Sequence, residues 1–164
     1  MLDVSRMMFE GFILSAVFLF IVLVSLAYNP RIWLQDYPKD IQNLAAVQTP
    51  KEQKQFKLIG AVIFAFALVP FILSLMFDGE QIPFRAAFGH FYVVFTMVSL
   101  SDLVVLDWVI FCLITPRFII IPGTHGAKGY KDVLFHFIGF LKGQIIFGVV
   151  SLILAGLRVT IAWL

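Results

Sequence analysis

Apolar residues in this chain come in four long runs, separated by two polar stretches and one short turn. The first run, about Phe9 to Tyr28, is continuous, and Asn29-Pro30 closes it because proline disfavours helical geometry in the residue before it. The polar segment 29–56 follows. Its "YPKDIQNLAA" predicts a short surface helix from about Pro38 to Ala46, with proline suited to the first turn. "TPKE" then gives a helix start: Thr49 as N-cap, Pro50 at the first helical position and Glu52 placed to reach back to the cap. Its apolar part covers about 57–77. Pro70 inside it predicts a kink, which membrane helices tolerate when neighbours satisfy the freed carbonyl.

"DGEQIP" is a turn, and the third helix runs from about Phe84 to Thr115, where Pro116 stops it. The segment 116–130 mixes β-branched residues, a Pro-Gly turn and three spaced glycines, and the fourth helix covers about 131–163. At ~1.5 Å per residue the last two helices exceed the ~30 Å hydrocarbon layer, so they must tilt, kink or project.

Composition turns these runs into membrane crossings. Of 164 residues, 61% are hydrophobic and only 13% charged, and the mean hydropathy is +0.98. Soluble domains carry about twice that charged fraction, near ~25%. A soluble enzyme, a nucleic-acid module and a disordered tail are excluded as readings. The expected fold is an all-α integral membrane protein: one domain, 1–164, with four transmembrane helices in one bundle.

The first run reads as a retained crossing. Only Arg6 precedes it among basic residues, and "SLAYNP" lacks a small-x-small cleavage site. Basic residues set the orientation. Nine (Arg31, Lys39, Lys51, Lys54, Lys57, Arg117, Lys128, Lys131, Lys142) lie with the loops 29–56 and 116–130, against three (Arg6, Arg85, Arg158) on the other side. Both loops are therefore expected in the cytoplasm and both termini outside, in the cell inner (plasma) membrane. Tyr28, Trp33 and Tyr37 fit an inner aromatic belt and Trp163 an outer one.

Net charge is +2, with no clustered basic face for nucleic acid. Cys112 is the lone cysteine and reads as a small buried hydrophobe. Three scattered histidines give no zinc spacing, so no metal site is expected, and nothing names a cofactor. The chain carries neither the His-box clusters of desaturases nor the motifs of lipid phosphatases or lipoprotein signal peptidases.

Intramembrane ionisable groups need a partner or a purpose. Counted inward from the cytoplasmic helix ends at ~1.5 Å per residue, Asp107 lies ~12 Å deep and His136 ~8 Å, Asp102 ~20 Å and Lys142 ~16 Å. Two tiers are predicted, Asp107–His136 and Asp102–Lys142. On an α-helical wheel the two aspartates point ~140° apart, so only a distorted helix turns both to one seam. Asp102 has the stronger claim to the interior because Ser99 and Ser101 flank it. Asp107 is the one expected to turn toward loop one or the capped start of the second helix. His90 reads as a hydrogen-bonded packing residue and Arg158 as snorkelling to headgroups.

The glycine-rich "GTHGAKGY" resembles an anion-binding nest, with Thr124, His125, Lys128, Tyr130 and Lys131 as ligand-binding candidates. The expected function is a cytoplasm-facing polar site between the third and fourth crossings that binds or processes a lipid-like or anionic small ligand. Asp102, Asp107 and His136 would carry its catalysis, and Lys142 would join the loop residues in binding. Membrane lipids are the expected surroundings. One alternative is an oligomeric proton- or cation-linked channel or transporter. Another is a non-catalytic assembly subunit, and a homo-oligomer could use the Gly139/Gly143 face, which Ser151 and Ala155 extend.

Overall fold

A computed structural model describes residues 3–79 and 82–161; Trp163 lies outside the described residues. The architecture is helical, with no strand among the described residues. α1 spans Val4–Tyr28 and leads through a 3₁₀ turn (Pro30–Asp36) to the short α2 (Lys39–Leu44). α3 (Pro50–Phe66) and α4 (Val69–Phe77) form one broken span. α5 (Phe84–Ser101) continues without interruption as a π-helix, Asp102–Ile114. α6 covers Val133–Ile161.

Four of these stretches are long and apolar enough to cross a membrane: Val4–Tyr28, Pro50–Phe77, Phe84–Ile114 and Val133–Ile161. Their outward side chains agree with hydrocarbon as solvent. Phe12, Phe64 and Ile145 are 68%, 67% and 71% exposed. Length and composition mark the chain as a multi-pass membrane protein.

Local chemistry places each boundary. Thr49 Oγ1 accepts from Glu52 N, and the Glu52 carboxylate accepts from Thr49 N at 2.7 Å, which is the reciprocal cap the sequence predicts. The α3/α4 break falls at Ala67–Leu68. A proline ring clashes with the carbonyl four residues earlier and removes a donor, at about 3 kcal/mol in a helix interior. Four residues before Pro70 is Phe66, where α3 ends. Tighter bonds from Ala67 N to Phe64 O and from Leu68 N to Ala65 O bridge the gap.

α5 lies between α1 and α6 and packs along both. Small residues permit the close approach. Without a hydrophobic drive between helices in lipid, such contacts rest on van der Waals packing. Ser151 and Ala155 are fully buried, and a Cβ on Gly143 would lie 3.9 Å from Ser99 Oγ. The Gly143/Ser151/Ala155 stripe is thus turned inward to α5.

The two loops predicted as cytoplasmic fold into one compact end, here called the loop end. Val22, Leu34, Tyr37, Ile41, Phe111 and Ile119 share a core there. Tyr37 Oη donates to Ile119 O at 2.8 Å, and Gly129 N donates to Asp40 Oδ2 at 2.7 Å. A Cβ at Gly129 would run into the Asp40 carboxylate and Pro38, so only glycine fits. Arg31 closes loop one onto Glu52 at 2.8 Å and onto the carbonyls of Ala46 and Val47. Of the predicted inner belt, Tyr28 is exposed, Trp33 is half-buried and Tyr37 belongs to the core.

At the opposite, terminal end, the start of α1, the end of α4 and the end of α6 meet. Arg6 reaches Asp78 at 2.5 Å and Glu10 at 2.6 Å, and Glu10 meets His90 at 2.8 Å. Arg158 is buried rather than snorkelling: it donates to Ser74 and to the Gly79 carbonyl. The unpaired carbonyls at the end of α4 carry the negative end of a helix dipole, which favours a cation there.

Candidate functional site

A cavity of about 510 Å³ lies toward the loop end, walled by α1, the first 3₁₀ turn, α3, the α5–π helix and α6. Most of its lining is apolar, with seven phenylalanines and Trp33. Its polar groups are few: Gln35, Asp36, Ser99, Asp102, Asp107, the Trp33 indole and His136. Gln35 and Asp36 are exposed and form its loop-side rim.

The π-helix explains how Asp102 and Asp107 come to share this space. In i→i+5 winding, residues five apart stack about one turn above each other. Thr115 N closes the last such bond onto Ile110 O at 2.8 Å. The cavity-lining and buried positions of this stretch, Asp102, Leu103, Leu106, Asp107, Phe111 and Cys112, recur at steps of four and five. The winding cuts the ~140° separation expected from an α-helical wheel to about 50°, and Asp107 turns to the cavity rather than to loop one.

Asp107 Oδ1 approaches His136 Nδ1 to 2.8 Å. An ionised carboxylate only accepts, so the shared proton sits on Nδ1, and in the neutral imidazole Nε2 is then the acceptor. His136 is 8% exposed, Phe111 and Phe135 rings flank it edge-on at 5.1 and 5.4 Å, and Nε2 has no partner in the protein. Asp102 Oδ1 is likewise buried and unpartnered.

No family model matches the chain, and neither a curated protein nor a solved structure does.

The remaining predicted site residues fall elsewhere. Lys142 is exposed and does not line the cavity, so the Asp102–Lys142 tier does not form. The reason is azimuth. At about 100° per residue, Lys142 lies about 120° around α6 from His136, whereas Gly139 and Gly143 stay within about 60° of it. Both glycines line the cavity.

Loop three is a packed clasp rather than an open nest. Thr124 is fully buried and shares a 2.7 Å hydrogen bond with Tyr130 Oη, which also accepts from Ile121 N at 2.9 Å. Tyr130 stacks on Phe111 with centroids 5.6 Å apart. Lys131 Nζ donates to Cys112 O at 2.5 Å, Leu113 O at 3.2 Å and Thr115 Oγ1 at 2.6 Å, capping the π-helix. His125 and Lys128 are exposed and outside the cavity lining.

Sequence reasoning missed Asp36, the third cavity carboxylate, because it lies in a loop. It also missed Glu10 as the partner of His90. The five-residue interval between Asp102 and Asp107, both polar in an apolar run, was the available signal for non-α winding.

Proposed function

We propose that this is a four-crossing bundle of the plasma membrane with both termini outside, and that its cytoplasm-facing cavity binds or processes a lipid-like small ligand. The cavity itself carries this reading: about 510 Å³ of mainly apolar space with one buried aspartate–histidine contact in its wall. Ligand sites fall in the range of roughly 300–1,000 Å³, with apolar walls and a few placed polar groups. An apolar tail would lie against the phenylalanines of α1, α3, α5 and α6. The polar head would sit near Asp102, Asp107 and His136. Asp107 fixes the imidazole orientation, so His136 Nε2 is the atom placed to take or return a proton.

Between the two head groups considered from the sequence, the cavity favours lipid-like over anionic. Asp36, Asp102 and Asp107 line it, and no lysine or arginine does among the described residues. Lys131, one of the basic candidates, is spent on the π-helix carbonyls.

Filling the space tests the proposal. Gly139 lines the cavity, and a Cβ there meets nothing within 4 Å. Gly139→Leu should preserve helicity while removing any small lipid-like molecule that native mass spectrometry finds on the wild-type protein. Equal retention of that molecule by wild type and variant, or its absence from both, would contradict the reading.

A further inference from the structure

The cavity's ionisable groups lean to one side, and its donors are limited to Gln35, Ser99 and the Trp33 indole, the last already given to Ser25 Oγ. Asp36, Asp102 and Asp107 offer carboxylate oxygens. His136, more than nine-tenths buried, offers an Nε2 lone pair with no partner in the protein. Asp102 Oδ1 also lacks a donor. A buried acceptor without a donor is destabilising, the more so when charged. A ligand that brings donors and positive charge complements this lining, which holds three acidic groups and no lysine or arginine among the described residues.

An ammonium group supplies both. It carries three N–H donors and a full charge. Aromatic rings near the head add cation–π attraction. Phe111 and Phe135 flank His136 at the polar end. A carboxylate or phosphate head would meet like charge, and an alcohol would bring one donor and no charge. Resting on the lipid-like reading, we propose that the cavity selects an amphipathic primary amine. Its protonated head sits between Asp102 and His136 Nε2, and its alkyl tail lies along the phenylalanine wall.

The test compares three ten-carbon probes that differ only in the head: decylamine, 1-decanol and decanoate. The protein is purified in mild detergent with Trp108→Phe and Trp163→Phe, leaving Trp33 in the cavity lining as the reporter. Non-specific signal is subtracted with the Gly139→Leu variant. Near neutral pH, decylamine should bind at least about tenfold more tightly than either other probe, a gap of about 1.4 kcal/mol. Asp102→Asn should erase that preference. Decanol or decanoate binding as tightly as decylamine, or the preference surviving Asp102→Asn, would overturn amine selectivity while leaving a lipid-like ligand in place. Saturable binding of none of the three would overturn both. Should Asp102→Asn not fold, the ranking of the three probes on the parent protein decides alone.

Discussion

Asp36 stands at the loop-side rim of the cavity, open to that space yet with protein on most sides, and this burial pushes its carboxyl up to about 6. An unfolded aspartate titrates near ~3.9. The folded state therefore holds the extra proton between about pH 4 and 6. Stability from this group is full below ~4 and is lost as pH rises through about 6. Asp36→Asn should remove that loss. Thermal unfolding of the two proteins between about pH 4 and 7 should show the variant gaining on wild type as pH rises. A gap independent of pH would refute the assignment. At this scale the sequence was legible in depth but not in direction. Matching depths found Asp107 and His136, whose contact is 2.8 Å. The same matching chose Lys142, which faces away, because depth alone ignores the turn of α6. Arg158 and Glu10 were misplaced or overlooked for a related reason. Their partners, Ser74 and Gly79 for one and His90 for the other, lie 79 to 84 residues away in the chain.

Among the elements, helix starts and stops were the most legible, because caps and prolines act over four residues. Thr49–Glu52 and Pro116 mark their boundaries as read, and Pro70 breaks its helix at the carbonyl its own ring excludes. The π-helix was not legible from periodicity. An apolar run such as "DLVVLDWVIFCLI" fills a 3.6- or a 4.4-step wheel equally well, and its two aspartates are its only directional marks. What holds its end is clear in the structure. Thr115 adopts a left-handed conformation (φ 50°), strained for a β-branched residue, and Lys131 draws together the terminal carbonyls. Lys131→Met should cost about 1 kcal/mol, the usual worth of a cation at a helix C-terminus. Hydrogen exchange at the amides around Thr115 should quicken, and Lys131→Arg should largely restore protection. Unchanged exchange in the methionine variant would show that packing on Tyr130 holds this end instead.

For the whole molecule, four spans long and apolar enough to cross a membrane follow from composition, and the structure adds that the start of α1, the end of α4 and the end of α6 share one end while loops one and three share the other. In the proposed orientation, which follows the basic-residue bias, the loop end faces the cytoplasm. In a Cys112→Ala background, a cysteine at His125 should react with a membrane-impermeant maleimide only after cells are opened, whereas one at Ser5 should react in intact cells. Both positions are exposed. The reverse pattern would turn the protein over and move the cavity rim to the outside. The cavity was only half-legible from the sequence. Its seam between the third and fourth crossings followed from Asp107 and His136, but α1 and α3 supply most of the far wall through apolar residues that look like any lipid-facing ones.

The thirteen-residue π-helix carries one more consequence. Along an ordinary span, losing a residue swings everything beyond it by more than a quarter-turn, and side chains that faced a partner end up facing lipid. Between Asp102 and Asp107 the reverse holds. Dropping one apolar residue there leaves an interval of four, which a plain α-helix also places on one side. The two acids can thus keep company under either winding, and their alignment survives a length change that would scramble any other crossing of this chain.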